Sequence, residues 1–332
     1  MGAAGSFETL QMTTTLAHDR TRDQALRRTI ETIEREGLAD HLQDLDVHGY
    51  TVLPGVLSED TVARAKAAII RRAEKVSGAK IDPHNASAED FKGMQYLPYL
   101  LFDDPVFAEI LLEPKPLALV TYLLGESALL SSMGSHFRGP GGMPLMVHTD
   151  NGNGMPAPFS PISMVANVNY ALTPYSREAG ALAMFPGSHR LQRQPTHYEN
   201  FTADGLSGEA MAARIQEKGG ADAVTWKDPP GAVSMDINPG DAVIWHGNTW
   251  HGGYRRELPG VRINLAAYFC RQYIQTQERR GDPAEAELLG RYGNNPRLSV
   301  LLGGKQSYGW RADDWAEIYG QRARTAPRGL FD

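Results

Sequence analysis

The sequence has little of several features that define common protein classes. Cys270 is the only cysteine in 332 residues, which excludes an intrachain disulfide and a zinc site built from cysteines. No apolar run approaches the roughly 18 residues needed to span a bilayer. The formal net charge of −6 disfavours a nucleic-acid partner. We therefore expect a cytoplasmic protein that binds neither membranes nor nucleic acids.

Several catalytic motifs are also missing. The chain has no Walker A loop, no GxGxxG after a strand, no HExxH and no GxSxG. These absences remove the usual nucleotide-binding, zincin and α/β-hydrolase interpretations. The first residues, MGAAGSFETLQMTTT, lack the basic and apolar regions of a signal peptide. We predict that residues 1–18 are disordered or tag-like, and that residues 19–332 form one domain.

The pattern of apolar residues changes along the chain. Helical spacing predicts an amphipathic helix over 19–41, and Ser58 is a good N-cap for a second helix reaching about Val76. From about 128 to 275, short apolar segments alternate with Gly, Pro, Asn and Asp, as in a β-sandwich or barrel. A polar insertion at about 196–229 has the length of a functional lid, and a surface loop without a function is an equal alternative. Helices are expected again after residue 275.

One short motif, VHTD, places His148 and Asp150 two residues apart. In an extended strand, residues i and i+2 point to the same face, so both side chains can reach one ion. A second histidine would complete the two-histidine, one-carboxylate set that suits non-haem Fe(II) and leaves positions open. The motif alone is weak evidence for a metal site, because a polar turn gives the same pattern, so the interpretation depends on a distant third ligand.

The candidates for that ligand are His246 and His251, in GDAVIWHGNTWHGG. They are five residues apart, so a continuous strand would place them on opposite faces, and only one should be a ligand. Arg262 follows eleven residues after His251 on the next predicted strand. Its planar guanidinium is suited to a bidentate grip on a carboxylate. Trp245 and Trp250, in the same stretch, are expected to serve packing.

The chain resembles the phytanoyl-CoA dioxygenase family of Fe(II)- and 2-oxoglutarate-dependent oxygenases. The resemblance runs from about His48 to about Tyr273 and rests on four segments: GYTVLPGVLSEDTV, HTD, GALAMFPGSHR and GDAVIWHGNTWHGG followed by RINLAAYF. It implies a double-stranded β-helix, a jelly roll with flanking N-terminal and C-terminal helices.

The resemblance also implies roles for individual residues. His148, Asp150 and His251 would bind Fe(II), and Arg262 would hold the far carboxylate of 2-oxoglutarate. Further cosubstrate contacts would come from a set of four residues: Asn169, Gly253, His136 and Gln95. Gly253 stands where the family often has serine, so it can offer only its backbone.

The reaction implied is oxidation of an unactivated C–H bond by O2, most simply hydroxylation, with release of succinate and CO2. The presence of Asp150 argues against halogenation, for which related enzymes lack the carboxylate ligand. We expect a mid-sized organic metabolite with apolar character, as in secondary metabolism, bound by residues 94–102 and 196–229. A homodimer is compatible with the sequence. The alternatives are a zinc or manganese hydrolase using the same ligands and a non-catalytic binding protein of cupin type.

Overall fold

The computed structural model describes residues 27–87, 90, 94–152, 155–278, 283–292 and 295–303. The predicted tag-like segment, residues 1–18, lies outside the described residues. Residues 27–35 form helix α1. The helices that follow are α2 (Ala39–His48), α3 (Glu59–Ser77), α4 (Val106–Leu111), α5 (Pro114–Leu124), α6 (Gly208–Lys218), α7 (Pro283–Arg291) and α8 (Pro296–Leu301).

The N-terminal helices differ in part from the prediction. The helix expected over 19–41 breaks at Gly37, whose φ of +68° favours glycine, and α2 continues to His48. The predicted cap of α3 is confirmed, because the Ser58 hydroxyl accepts the backbone N–H of Thr61 at 3.1 Å. Within the described part of the chain, we find no helix with the length and apolar character to cross a membrane.

The strands form two larger antiparallel sheets. The major sheet has the order β1-β10-β5-β12-β3-β2, the minor sheet has the order β4-β11-β6-β9, and β7 pairs with β8. The strands are β1 (Tyr50–Leu53), β2 (Met94–Leu97), β3 (Leu129–Arg138), β4 (Leu145–His148), β5 (Val165–Ala171), β6 (Leu182–Met184), β7 (Thr202–Ala203), β8 (Trp226–Lys227), β9 (Val233–Ser234), β10 (Ala242–His246), β11 (His251–Gly253) and β12 (Asn264–Cys270).

The two faces of the major sheet have different partners. Along β10, Ala242 and Ile244 pack in the hydrophobic cluster shared with the helices, whereas Val243 and Trp245 pack in a cluster with residues of the minor sheet. This alternation follows from the period of two of a β-strand. The two sheets therefore face each other across an interior, and the predicted jelly roll with flanking helices is confirmed.

The major sheet draws on strands outside the core predicted at 128–275. Strand β1 pairs with β10, and β2 pairs with β3, so both of its edges come from the N-terminal part of the chain. The insertion at 196–229 contains β7, α6 and β8. It is joined to β4 by the side chain of Asn200, which exchanges hydrogen bonds with the backbone of Val147.

Candidate active site

The side chains of His148, Asp150 and His251 come together between the sheets. His148 ends β4, Asp150 begins the short helical turn Asp150–Gly152, and His251 begins β11. One potential ligand atom from each of the three lies within 4.8 Å of the others. The strand register explains why the two histidines are close, because His148 and His251 are directly opposed on antiparallel strands and so share a face.

Both histidines are oriented by backbone carbonyls. Nδ1 of His148 lies 2.8 Å from the carbonyl oxygen of Met146, and Nδ1 of His251 lies 3.0 Å from that of Thr249. Since a carbonyl only accepts, each Nδ1 carries the proton and each Nε2 keeps its lone pair. Burial lowers the pKa of His251 to about 4, so this ring is neutral near pH 7. Two imidazoles whose Nδ1 atoms face backbone carbonyls and a carboxylate form a donor set suited to a divalent transition metal.

The Asp150 carboxylate is held by a residue that the sequence analysis assigned to packing. The indole Nε1–H of Trp245 donates to Asp150 Oδ2 at 2.9 Å, while Oδ1 lies 3.8 Å from Nε2 of His251. The turn that carries Asp150 is fixed against the β10–β11 loop, because Asn151 N donates to the carbonyl of Gly247 at 3.1 Å. No motif points to the indole contact, which depends on the register of β10.

The glycine after His251 permits close strand contact. A Cβ atom at Gly252 would lie 2.7 Å from the carbonyl oxygen of Leu145 on β4, closer than real Cβ atoms approach. Strand β11 lies between β4 and β6 and pairs with both. A glycine at this position therefore lets β11 approach β4 closely enough to place His251 beside His148.

His246 lies outside the group of three. Its Nδ1 accepts the backbone N–H of Asn248 at 3.0 Å, and its Nε2 is 3.3 Å from the carbonyl oxygen of Pro161. Both ring nitrogens are thus engaged with backbone, one in the β10–β11 loop and the other in the segment before β5. Strand geometry left both His246 and His251 as candidates, and the structure places His251 with His148 and Asp150.

A cavity of about 520 Å³ opens beside the group. Its lining combines residues of β2, β3, β5 and β12 with the chain after β12: Tyr96, Pro98, Tyr99, Ser132, His136, His148, Asp150, Asn167, Ala266, Tyr268, Gln277 and Glu278. Residues 94–102 therefore contribute to the wall as predicted, whereas none of the lining residues belongs to 196–229. Gln277 and Glu278 are not predicted from the sequence, because they follow β12 without a recognisable pattern.

Arg262 is buried, with 3% of its surface exposed. Its Nη1 donates to the carbonyl of Gly180 at 2.6 Å and its Nη2 to that of His136 at 3.1 Å. The guanidinium carbon lies 5.2 Å from the centre of the Tyr175 ring. Nε has no hydrogen-bond partner among the described residues. A buried guanidinium whose protein partners are neutral carbonyls and a ring is suited to an anionic ligand.

Two predicted cosubstrate residues lie on strands β3 and β5 of the major sheet, and one of them lines the cavity. His136 lines the cavity, and burial, reinforced by the charge of Arg262, lowers its pKa to about 3. Asn169 is buried on β5, and its Oδ1 accepts the hydroxyl of Tyr175 at 3.1 Å. Tyr175 thus contacts both Asn169 and Arg262, a connection that the sequence does not indicate.

The other two predicted cosubstrate residues are placed differently. Gln95 is paired with Phe137, whose side chain belongs to the helix-facing core, whereas its neighbour Tyr96 is paired with His136. Opposed residues share a face, so the structure puts Gln95 on the face of β2 turned away from the cavity. Gly253 lies on β11 against Leu145, and it does not line the cavity.

Comparison with known proteins agrees with this arrangement. The sequence model of the phytanoyl-CoA dioxygenase family matches residues 45–262. The chain is 28% identical over 257 residues to the protein "Dioxygenase af480" of Aspergillus fumigatus, covering 74% of this chain and 69% of that protein.

Two solved structures share the fold at low sequence identity. HygX from Streptomyces hygroscopicus, with nickel and 2-oxoglutarate bound, is 18% identical with a TM-score of 0.51, covering 72% of this chain and 88% of HygX. SnoK, a non-haem, alpha-ketoglutarate-dependent carbocyclase from nogalamycin biosynthesis, is 20% identical with a TM-score of 0.50, covering 74% and 94%. These two likenesses show a shared fold.

Proposed function

The chain belongs to the phytanoyl-CoA dioxygenase family, and from this premise we propose that it is an Fe(II)- and 2-oxoglutarate-dependent oxygenase. Its substrate is a mid-sized organic metabolite, of which it hydroxylates an unactivated C–H bond. Succinate and CO2 are the products of the cosubstrate. The observation that carries the proposal is the group formed by His148, Asp150 and His251 next to a cavity.

The three side chains fit the metal by their chemistry. His148 and His251 would each offer Nε2, because their Nδ1–H groups are committed to backbone carbonyls. Asp150 would offer a carboxylate oxygen. Three protein ligands leave about three positions for a cosubstrate and O2, as in non-haem Fe(II) oxygenases. Bound iron would supply the O2 chemistry that couples decarboxylation of 2-oxoglutarate to C–H oxidation.

The second end of the cosubstrate is assigned to Arg262. A buried guanidinium pairs favourably with a carboxylate, and Nε of Arg262 has no hydrogen-bond partner within the described part of the chain. Tyr175 contacts Arg262 with its ring and Asn169 with its hydroxyl, which connects these three residues along one wall. The role of the protein here is to bind and orient the cosubstrate and to exclude water.

The substrate would occupy the cavity beside the metal ligands. A volume of about 520 Å³ is in the range of pockets that hold mid-sized organic ligands. The wall combines the rings of Tyr96, Tyr99 and Tyr268 with polar side chains such as Gln277. This mixture suits a molecule with both an apolar body and hydrogen-bonding groups, which is a more polar substrate than the sequence suggested.

The test is the formation of succinate from 2-oxoglutarate. Purified protein is freed of metal, reloaded with Fe(II) under anaerobic conditions and exposed to O2 with 2-oxoglutarate and a metabolite library. We expect succinate release that depends on Fe(II) and increases with a substrate. Asp150→Ala should abolish it, and His246→Gln, which changes a buried histidine outside the group, should retain it.

The alternatives give different results in this experiment. A hydrolase that uses the same ligands with zinc or manganese would release no succinate with any metal. A cupin-type binding protein would bind a ligand without consuming O2 or 2-oxoglutarate. Either outcome, with correctly loaded Fe(II), would overturn the proposed function.

A further inference from the structure

The geometry points to Trp245 as a positioning residue for the Asp150 carboxylate. This inference rests on the proposed function, since it assigns Trp245 a role at the proposed metal centre. The indole Nε1–H donates to Oδ2 of Asp150 at 2.9 Å. Among the described residues, no other side chain or backbone N–H donates to this carboxylate.

Trp245 is held rigidly enough for this role. Among the described residues, it is the largest fully buried side chain, and 2% of its surface is exposed. Its position on β10 is fixed by pairing with Tyr50 on β1 and Asn167 on β5. Its ring packs in the core between the sheets, with its centre 4.8 Å from that of the His251 ring. The indole can therefore orient Asp150 relative to His251.

The hydrogen bond distinguishes the two oxygens of Asp150. Oδ2 is engaged with the indole, while Oδ1 lies 3.8 Å from Nε2 of His251. A charge-assisted hydrogen bond to one oxygen favours metal binding through the other. Asp150 would then occupy one coordination position instead of two. That leaves room for a cosubstrate that binds through two atoms.

The protein contains a matched control for this hydrogen bond. Trp250 is also buried, with 4% exposed, and its indole Nε1–H donates to the carbonyl of Arg193 at 2.8 Å. Trp245→Phe and Trp250→Phe each remove one indole N–H and part of a buried ring. Only the first removes a hydrogen bond to a proposed metal ligand, so their difference isolates that contact from the general cost of losing a buried tryptophan.

The experiment is an anaerobic titration of metal-free protein with Co(II), followed by its visible d–d spectrum. We expect Trp245→Phe to weaken Co(II) binding by about 10- to 100-fold, the usual range for partners of a ligand. The Co(II) spectrum should also change, because the coordination of Asp150 changes. Trp250→Phe should keep both the affinity, within about twofold, and the spectrum of the wild-type protein.

The outcomes separate this inference from the proposed function. Wild-type protein that binds no Co(II) would overturn the proposed metal centre and this inference with it. If wild type binds Co(II) and Trp245→Phe binds it with the same affinity and the same spectrum, only the role of Trp245 is overturned.

A second measurement leaves Trp245 unchanged, so it does not depend on whether a Trp245 variant folds. In wild-type protein labelled with ¹⁵N at the indoles, Zn(II) should shift one buried indole resonance, and Asp150→Ala should remove that response. If Zn(II) binds and shifts no indole resonance, the inference is rejected.

Discussion

His148 and His251 are directly opposed on the antiparallel strands β4 and β11, and the centres of their rings lie 4.3 Å apart. The two residues are far apart in sequence, so their proximity is set by the pairing of two short strands. Any change that separates β4 from β11 should therefore alter the proposed metal centre, even if it removes no ligand.

Gly252→Ala tests this dependence directly. The added Cβ would lie 2.7 Å from the carbonyl oxygen of Leu145, a backbone atom that can move only with its strand. We expect a loss of about 1–3 kcal/mol in the free energy of unfolding, as for other overpacked sites. Co(II) affinity should fall as well, because His251 moves relative to His148. Chemical denaturation and metal titration measure the two effects.

The matched control is Gly290→Ala on helix α7. A Cβ there would meet nothing within 4 Å, so this change should leave stability equal or slightly higher. Equal stability and equal Co(II) affinity of Gly252→Ala and wild type would show that the spacing of β4 and β11 does not depend on this glycine.

The sequence predicted the fold class and the group of three side chains, but not the contacts that support the group. His148 and Asp150 are two residues apart, so a local rule relates them. Strand geometry alone left His246 and His251 open, and the family resemblance chose between them. The structure groups His251 with the other two.

The supporting contacts depend on register and on distant chain segments, which a single sequence does not encode locally. Trp245 reaches Asp150 because β10 presents that residue to the interior. Gln95 lies on the helix-facing side because it is paired with Phe137. Gln277 follows β12, and its Oε1 accepts the hydroxyl of Ser132 at 2.7 Å. A shift of one residue in any of these strands would exchange the faces.

Arg262→Gln should weaken 2-oxoglutarate binding by about 10- to 100-fold, since a hydrogen bond to a charged group contributes about 1.5–3 kcal/mol. The sharper measurement compares 2-oxoglutarate with 2-oxopentanoate, which has the same chain length without the distal carboxylate. Wild-type protein should prefer the dicarboxylate, and the variant should lose most of that preference. Anaerobic titration of metal-loaded protein gives both affinities.

Losing the preference for 2-oxoglutarate over 2-oxopentanoate indicates a lost contact with the distal carboxylate, because general damage to the fold would weaken the binding of both acids. Arg177→Gln, which removes a half-exposed arginine paired with Asp228, is the control and should keep the preference. If Arg262→Gln discriminates between the two acids as well as wild type does, Arg262 does not hold the distal carboxylate.

The buried position of His246 predicts that the free energy of unfolding decreases in acid. Burial lowers its pKa from 6.5 to about 4, and in the fold its Nδ1 accepts the N–H of Asn248. Between these pH values the unfolded chain binds more protons than the folded protein, so stability falls as pH falls from about 6.5 to about 4. The contribution of this one group reaches at most about 3 kcal/mol.

His246→Gln should therefore show a shallower loss of stability over that pH range than wild type, measured by denaturation of metal-free protein. His136 and His251, whose pKa values are also lowered by burial, should keep part of the slope. Identical slopes for the variant and wild type would mean that the protonation of His246 does not oppose folding.

Asn200 should stabilise the strand that carries His148. Strand β4 is an edge of the minor sheet. The Asn200 side chain accepts the Val147 N–H at 2.9 Å and donates to the Val147 carbonyl at 3.0 Å, as a neighbouring strand would. Asn200→Ala leaves both backbone groups without these partners, so we expect a loss of about 1–3 kcal/mol in stability and faster hydrogen exchange over Leu145–His148.

Asn85→Ala, which removes an exposed side chain bonded to Asp82, is the control and should change neither the stability nor the exchange. Unchanged exchange at Val147 in Asn200→Ala would show that the stability of β4 does not depend on the Asn200 side chain.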